Sequence, residues 1–208
     1  MKSNFLKRLI FIIFSLPLVI LSLHFGGYYF YFLVTLVSLI GLYEIFLLKK
    51  KIFSFIIFIL FSIFLFLFIE IYYEKNGKIY IYLLLLITWL SDTGGYIIGR
   101  YLGKKKISYI SPNKTYLGFL GSIIFSQLSF VYLFFNDIFF FNSLFITALL
   151  LIFSSLIVIF GDLFFSYIKR KCKIKDYSNI FIGHGGLFDR IDGLIFLTIF
   201  FKLILIAS

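Results

Sequence analysis

The sequence contains little cysteine, few acidic residues and no long polar linker. A single cysteine, Cys172, excludes an intramolecular disulfide and a metal site built from thiolates alone. Nine Asp and Glu residues stand against twenty Lys and Arg, which gives a formal net charge of +11. In a soluble protein this excess would suggest nucleic-acid binding, whereas in a membrane protein it is typical of cytoplasmic loops. We therefore expect no nucleic-acid partner.

Apolar residues dominate what is present. Hydrophobic residues make up 62% of the 208 positions and aromatic residues 23%, more than the interior of a soluble domain of this size could bury. The apolar runs are each close to the roughly 20 residues that a helix needs to cross the hydrocarbon. The sequence thus predicts an all-α polytopic membrane bundle, a single domain over 1–208. The seven predicted spans are 8–23, Tyr28–Leu48, Phe53–Tyr73, Ile79–Ile98, Tyr116–Phe135, Phe139–Phe160 and Leu187–Ala207.

The N-terminal segment resembles a signal peptide but lacks a small-x-small cleavage motif, so we expect an uncleaved first helix. Loop charges then predict the orientation. With the N-terminus in the cytoplasm, all but three of the twenty basic residues fall on the cytoplasmic side. This predicts a multi-pass protein of the cytoplasmic (inner) membrane, in contact with membrane lipid.

Apart from Asp176, which lies in a polar loop, the acidic residues divide into two groups. Glu70, Glu74 and Asp137 fall in short loops on the far side and are interpreted as solvated charges. The others lie beside apolar sequence near the cytoplasmic ends of spans, where a carboxylate needs a partner or a metal. These are Glu44, Asp92, Asp162, Asp189 and Asp192.

Residues 161–193 form a long polar interruption in the apolar second half. They hold four of the nine acidic residues, and a membrane protein that keeps such charge generally uses it. Asp162 and Ser166 are four residues apart, and Asp189 and Asp192 are three apart, so on helices each pair shares a face. Between them lie Lys169-Arg170, Lys175-Asp176 and Gly183-His184-Gly185-Gly186, where glycine backbone could approach an anion just before a helix.

A second polar region covers residues 91–122. It begins with Asp92, passes Gly94, Gly95 and Gly99 to Arg100, and continues to Ser111-Pro112-Asn113-Lys114-Thr115. Glycine pairs of this kind more often serve close helix packing than ligand contact.

Together the two regions resemble the signature of the phosphatidate cytidylyltransferase (CDP-diacylglycerol synthase) family. The matching elements are Ser166, Lys169-Arg170, Lys175-Asp176, His184-Gly185-Gly186 and Asp189-Arg190-Ile191-Asp192, preceded by Asp92, Tyr96, Arg100 and Ser111-Pro112-x-Lys114-Thr115. Tyr43-Glu44 resembles an aromatic–Glu pair of the family, but the first 75 residues otherwise match little. Three positions depart from the pattern: Phe165 and Leu117 replace Glu, and Ile182 replaces Pro.

The resemblance implies an Mg²⁺-dependent nucleotidyltransferase of phospholipid biosynthesis, which joins CTP and phosphatidate and acts as a homodimer. Its catalytic half would be 79–208, behind N-terminal spans over 8–73. The metal ligands would be Asp162, Asp189 and Asp192, holding one or two cations. Catalytic residues would be these three with Ser166, Lys169, Arg170, His184 and Arg190. Nucleotide- or phosphate-binding residues would be Asp92, Arg100, Ser111, Lys114, Thr115, Lys175, Gly185 and Gly186.

Other interpretations stay open at this point. A CTP-dependent polyprenol kinase would use similar residues, and a transporter could line a pathway with acids, although such acids usually lie mid-span on broken helices. The Asp189–Asp192 run could also be an interfacial salt-bridge cluster. His184 could cap a helix, and Lys104–Lys106 could serve only as a topology signal.

Overall fold

The computed structural model describes residues 15–106, 114–181 and 185–207. Within them the chain forms eight α-helices and one short 3-10 turn at Phe140–Asn142. The helices are α1 (Ser15–Phe25), α2 (Gly27–Leu47), α3 (Lys51–Tyr72), α4 (Gly77–Tyr101), α5 (Tyr116–Ser126), α6 (Ser129–Phe135), α7 (Leu144–Lys171) and α8 (Phe188–Ala207).

Five segments are long and apolar enough to cross a membrane: α2, α3, α4, the pair α5–α6 and α7. With the shorter apolar α1 and the 20-residue α8, they account for the seven predicted spans. The predicted all-α polytopic membrane bundle is therefore confirmed. Residues 8–14 of the first predicted span lie outside the described residues.

The fifth span runs over Tyr116–Phe135 as predicted, but its helix is interrupted at Gln127–Leu128 and so divides into α5 and α6. The hydroxyls of Ser126 and Ser129 donate to local carbonyl oxygens there. The boundaries predicted for the sixth span were wrong. The sixth begins at Leu144 and continues to Lys171 instead of ending at Phe160. Lys169, Arg170 and Lys171 occupy the last turn of α7, where cations are favoured by the helix dipole. Asp162 and Ser166 consequently lie on a helix.

The chain forms two compact units. The first contains the residues up to Leu65 together with Ile168–Ile191, and the second contains Phe66–Tyr167 with the chain from Asp192 onwards. In the first unit, Phe61 packs edge-on to Phe188, whose ring also meets Tyr177. The prediction of a single domain stays a prediction.

In the second unit, glycines on α4 and α5 let the two backbones approach closely. A Cβ added to Gly121 would lie 2.6 Å from the carbonyl oxygen of Gly94, and one added to Gly118 would lie 2.8 Å from that of Gly95. The Ser122 hydroxyl donates to the carbonyl oxygen of Ser91 at 2.8 Å. The expectation that these glycines serve helix packing is confirmed.

Glu70 and Glu74 are exposed, 43% each, as expected of solvated charges, but both are also paired. Both carboxylates lie 2.8 Å from the ammonium of Lys202, which α8 buries to 7% exposure. A lysine in an apolar helix needs an opposite charge because an unpaired buried ammonium is costly. The pair of acids supplies that charge and links α8 to the end of α3.

Candidate functional site

α7 and α8 approach closely at Gly161 and Gly193, both in the second unit. A Cβ on Gly161 would lie 2.8 Å from the carbonyl oxygen of Asp192 and 3.1 Å from Cα of Gly193. A Cβ on Gly193 would lie 2.7 Å from Cγ1 of Val158. A side chain at either position would crowd the facing helix, so the two backbones pass close together here. Asp162 and Asp192 are the chain neighbours of these glycines, so the backbones of these two predicted ligands lie near each other at the crossing.

Asp162 already has partners in this unit. Its carboxylate forms an ion pair with Lys114, and both side chains are partly exposed, 29% for Asp162 and 26% for Lys114. Ser166, one turn later on α7, has its hydroxyl 3.4 Å from the other carboxylate oxygen. The structure thus joins a residue of the Ser-Pro-x-Lys-Thr region to the Asp–Ser pair, a contact that the two separate motifs could not reveal.

Asp189 belongs to the first unit and is held by three donors. Lys169 lies 2.6 Å from its Oδ1, and the side chains are 16% and 7% exposed. Its Oδ2 accepts the backbone N–H groups of Tyr177 at 3.0 Å and Gly186 at 2.9 Å. The Lys169 ammonium also lies 5.7 Å from the centre of the Tyr177 ring. Asp189 thereby ties α7, the loop after it and the start of α8 together.

Glu44 has partners that the sequence did not identify. It is completely buried in the first unit and accepts hydrogen bonds from Ser178, Leu187 and Phe188. The sequence signals were an acid in an apolar helix and the Tyr43-Glu44 resemblance, from which a partner was expected but could not be named. That expectation of partners is confirmed for Glu44, Asp162 and Asp189.

The region before α5 places one predicted residue, Thr115, at the N-terminus of that helix. The Thr115 hydroxyl accepts the N–H of Gly118 at 3.0 Å, an N-cap, and Thr115 is buried to 8%. Arg100, in the last turn of α4, is exposed and donates to the Tyr96 hydroxyl while lying 5.7 Å over its ring. Asp92 is exposed on α4.

The remaining predicted residues are distributed as follows. Arg170, Lys175 and Arg190 are exposed in the first unit, and Gly185 adopts a positive φ of 79° that favours glycine. Ser111 and His184 lie outside the described residues, as do the N–H groups of Gly183 and His184. The N–H of Gly186 is taken by Asp189. The anion-binding role of the glycine run stays a prediction.

Cys172 follows the last turn of α7. Burial raises the pKa of its thiol above the ordinary value, and the nearby Lys50 opposes that change with a smaller effect. Although lysines surround this cysteine in the sequence, desolvation disfavours the thiolate more than the nearby lysine favours it.

Comparison with known proteins shows which family the chain belongs to. The profile of the cytidylyltransferase family matches residues 48–207, more than half of the chain. The chain belongs to the cytidylyltransferase family. It is 42% identical over 140 residues to a phosphatidate cytidylyltransferase of Staphylococcus haemolyticus, a match that covers 64% of this chain and 51% of that protein.

Two further relatives give the same result. It is 40% identical over 136 residues to the phosphatidate cytidylyltransferase of Staphylococcus saprophyticus, covering 64% of this chain and 51% of that one. It is 39% identical over 146 residues to that of Staphylococcus aureus, covering 66% and 54%. The chain therefore spans about half the length of the curated relatives it matches.

The residues at the α7–α8 crossing have the type of donor atom that a magnesium ion prefers. Asp162, Ser166 and Asp192 offer oxygen donors, which Mg²⁺ prefers. Within the described ranges, no group of three or more His, Cys, Asp or Glu side chains is arranged to hold a metal ion. α8 contains both Asp189, in its first turn, and Asp192, three residues later, as the spacing predicted. The ligand set of Asp162, Asp189 and Asp192 stays a prediction.

Proposed function

We propose that this cytidylyltransferase transfers the cytidylyl group of CTP to phosphatidate, making CDP-diacylglycerol and pyrophosphate in the cytoplasmic membrane. The observation that carries the proposal is the match over residues 48–207, which includes both polar regions, to a family whose relatives at about 40% identity are named for this reaction. The membrane-spanning helices suit a lipid substrate that never leaves the bilayer.

The reaction brings anions together. A phosphate oxygen of phosphatidate forms a bond to the α-phosphorus of CTP, and the bond from that phosphorus to the β-phosphate bridge breaks, so pyrophosphate leaves with the electron pair. Because the barrier consists largely of charge crowding, the protein has mainly to align and neutralise phosphates. Bound Mg²⁺ would supply part of that neutralisation.

The carboxylates nearest the backbone crossing are the best candidates to hold the cation. Asp162 and Asp192 flank the crossing of α7 and α8, and Ser166 lies beside Asp162. Asp189 is included because of the sequence motif. The family resemblance is the basis for proposing one or two cations and a homodimer.

The basic residues are suited to hold phosphate oxygens. Lys114 and Lys169 neutralise Asp162 and Asp189 and could turn towards a phosphate when one arrives. Arg170 and Arg190 are exposed and could make two-point phosphate contacts, which a lysine cannot.

The test is a reconstitution. Protein in phosphatidate-containing vesicles is incubated with radiolabelled CTP, with and without Mg²⁺, and the lipid fraction is analysed for CDP-diacylglycerol. We expect Mg²⁺-dependent product, and a loss of about 100-fold or more in Asp162→Asn and Asp192→Asn, because each variant removes a charge that would act on a metal. Asp137→Asn, an exposed acid outside both polar regions, is the matched control and should retain full turnover.

Each alternative result has a clear meaning. Phosphorylated lipid with release of CDP would identify a CTP-dependent lipid kinase instead. Flux of a solute without chemistry would identify a transporter. Full turnover in both Asp variants would refute the assignment of the crossing as the metal site while leaving the reaction in place.

A further inference from the structure

Glu44 is a carboxylate placed where carboxylates are rarely tolerated. It lies three residues before the end of α2 and has no exposed surface. The first unit around it is aromatic and aliphatic, with Phe61 and Phe188 both buried. A buried ionised group without hydrogen bonds would cost far more than a folded protein can spare, so its bonds must be good ones.

Three donors from distant parts of the chain meet this carboxylate. The Ser178 hydroxyl and the Leu187 N–H each lie 2.6 Å from its Oε1, and the Phe188 N–H lies 3.0 Å from its Oε2. The N–H groups at the start of a helix have no partners within the helix and form the positive end of its dipole. Glu44 thus caps α8 from a helix more than 100 residues earlier in the chain.

The Glu44 carboxylate packs so closely against Gly186 that it leaves no room for a side chain there. A Cβ added there would lie 2.7 Å from the Glu44 carboxyl carbon, closer than real contacts allow. Its own N–H donates to Asp189 at 2.9 Å. The segment from Gly186 to Asp189 is therefore held on one side by Glu44 and on the other by its own Asp189, and neither carboxylate leaves this segment room to shift.

We propose that Glu44 is a positioning residue for cytidylyl transfer, an inference that rests on the proposed function. By fixing the N–H groups of Leu187 and Phe188, it sets the orientation of the first turn of α8, which carries Asp189 and Arg190. Glu44 itself contacts no substrate in this role. It acts through Asp189 and Arg190, the two motif residues that directly follow the backbone it holds at Leu187 and Phe188.

A residue that only stabilises the fold would behave differently. Loss of a purely structural cap lowers the amount of folded enzyme, so the apparent kcat falls and both KM values stay unchanged. Loss of positioning changes the geometry of motif residues in folded enzyme, so KM for CTP rises and kcat per folded molecule falls, whereas KM for phosphatidate changes less. The split between these constants separates the two cases.

The test uses Glu44→Gln in lipid nanodiscs, with Asp137→Asn as the charge-removal control. Glutamine keeps the shape but replaces one acceptor oxygen with an NH₂ group, so at least one donor loses its partner. Hydrogen exchange of the Leu187 and Phe188 amides should become about tenfold faster or more, with helices of the second unit unchanged. KM for CTP should rise and kcat should fall, so that kcat/KM for CTP drops by about tenfold. A loss of this size is expected when the motif residues are displaced by a fraction of an ångström.

Ser178→Ala keeps the proposal testable if Glu44→Gln does not fold. It removes one donor and leaves both backbone bonds, so we expect a two- to threefold change in the same kinetic constants. Unchanged amide exchange in Glu44→Gln would overturn the proposal, and so would faster exchange with unchanged kinetic constants, or a fall in activity that matches the loss of folded protein. A wild-type enzyme that makes no CDP-lipid would refute the proposed function and the positioning role together, while the exchange result would still show whether the cap exists.

Discussion

Replacing Gly161 with Ala tests the backbone crossing on which the proposed metal site depends. The new Cβ would lie 2.8 Å from the Asp192 carbonyl oxygen, whereas ordinary contact begins at 3.4 Å. Of the three atoms nearest to it, this oxygen and Cα of Gly193 belong to the backbone and cannot rotate away, and the third is Cδ2 of Phe196 at 3.1 Å. The helices must therefore separate locally by the difference, about 0.6 Å.

Two opposing effects set the stability change. Overpacking of this kind costs about 1–3 kcal/mol. Ala in place of Gly in a helix interior gains about 1 kcal/mol. The net loss should be no more than about 2 kcal/mol, so the variant folds. The activity loss should be larger in proportion, because a misplacement of about 1 Å can cost about 100-fold and one of about 0.6 Å therefore about tenfold.

A companion pair of variants makes the test specific. A Cβ on Gly193 would meet Val158 Cγ1 at 2.7 Å and the Val158 carbonyl oxygen at 3.1 Å. Val158→Ala removes the first contact, so it should partly rescue Gly193→Ala. It should not rescue Gly161→Ala, whose contacts are with the backbone at Asp192 and Gly193 and with the Phe196 ring, not with Val158. The measurements are the thermal unfolding midpoint in detergent and the CDP-lipid turnover per folded molecule.

Leu203→Ala serves as the control on α8, since this side chain is 62% exposed. It should change neither measurement appreciably. Wild-type turnover in Gly161→Ala would refute the reasoning, because it would mean that the spacing of the two helices at this point does not matter for the reaction. Equal rescue of both glycine variants by Val158→Ala would contradict the backbone contact itself.

Three further predictions follow from single contacts. Lys169→Met leaves the nearly buried Asp189 carboxylate without its ammonium and should lower stability by about 3 kcal/mol, seen in the unfolding midpoint, with Lys169→Arg affected much less. Phe165→Glu places a carboxylate at a fully buried position and should cost at least about 3 kcal/mol, seen as loss of folded protein. The raised pKa of the Cys172 thiol means that its alkylation by iodoacetamide should still accelerate as the pH rises past 9, and a rate that levels off below that pH would contradict it.

The fold was readable from the sequence wherever one physical rule decides it. A run of about 20 apolar residues has few alternatives to a membrane helix, so the seven spans were predicted. The break at Gln127–Leu128 was missed because the composition on both sides is equally apolar. The extension of α7 to Lys171 was missed because polar residues were interpreted as a loop, although a helix can continue beyond the hydrocarbon.

The candidate site was readable in its residues but not in its connections. Spacing placed Asp162 with Ser166 and Asp189 with Asp192 on helix faces, since i, i+3 and i, i+4 neighbours need no tertiary information. Glu44 reaches Leu187 across 143 positions, and Lys202 reaches Glu74 across 128. Contacts between such distant positions depend on how helices pack, which a single sequence does not encode in any local pattern.

The two positions where the family pattern has Glu are not equivalent in this chain. Phe165 is completely buried and packs against Phe164 and Phe196, whereas Leu117, in the first turn of α5, is 41% exposed. A carboxylate at Leu117 would be partly exposed, whereas one at Phe165 would lie in apolar surroundings. The chain has kept Asp162 and Asp192, the two acids placed by the glycine crossing of α7 and α8. The proposed reaction should therefore depend on Asp162 and Asp192, whose backbone positions are set by the glycine crossing. Leu117→Glu, which adds a carboxylate elsewhere, should add little to turnover.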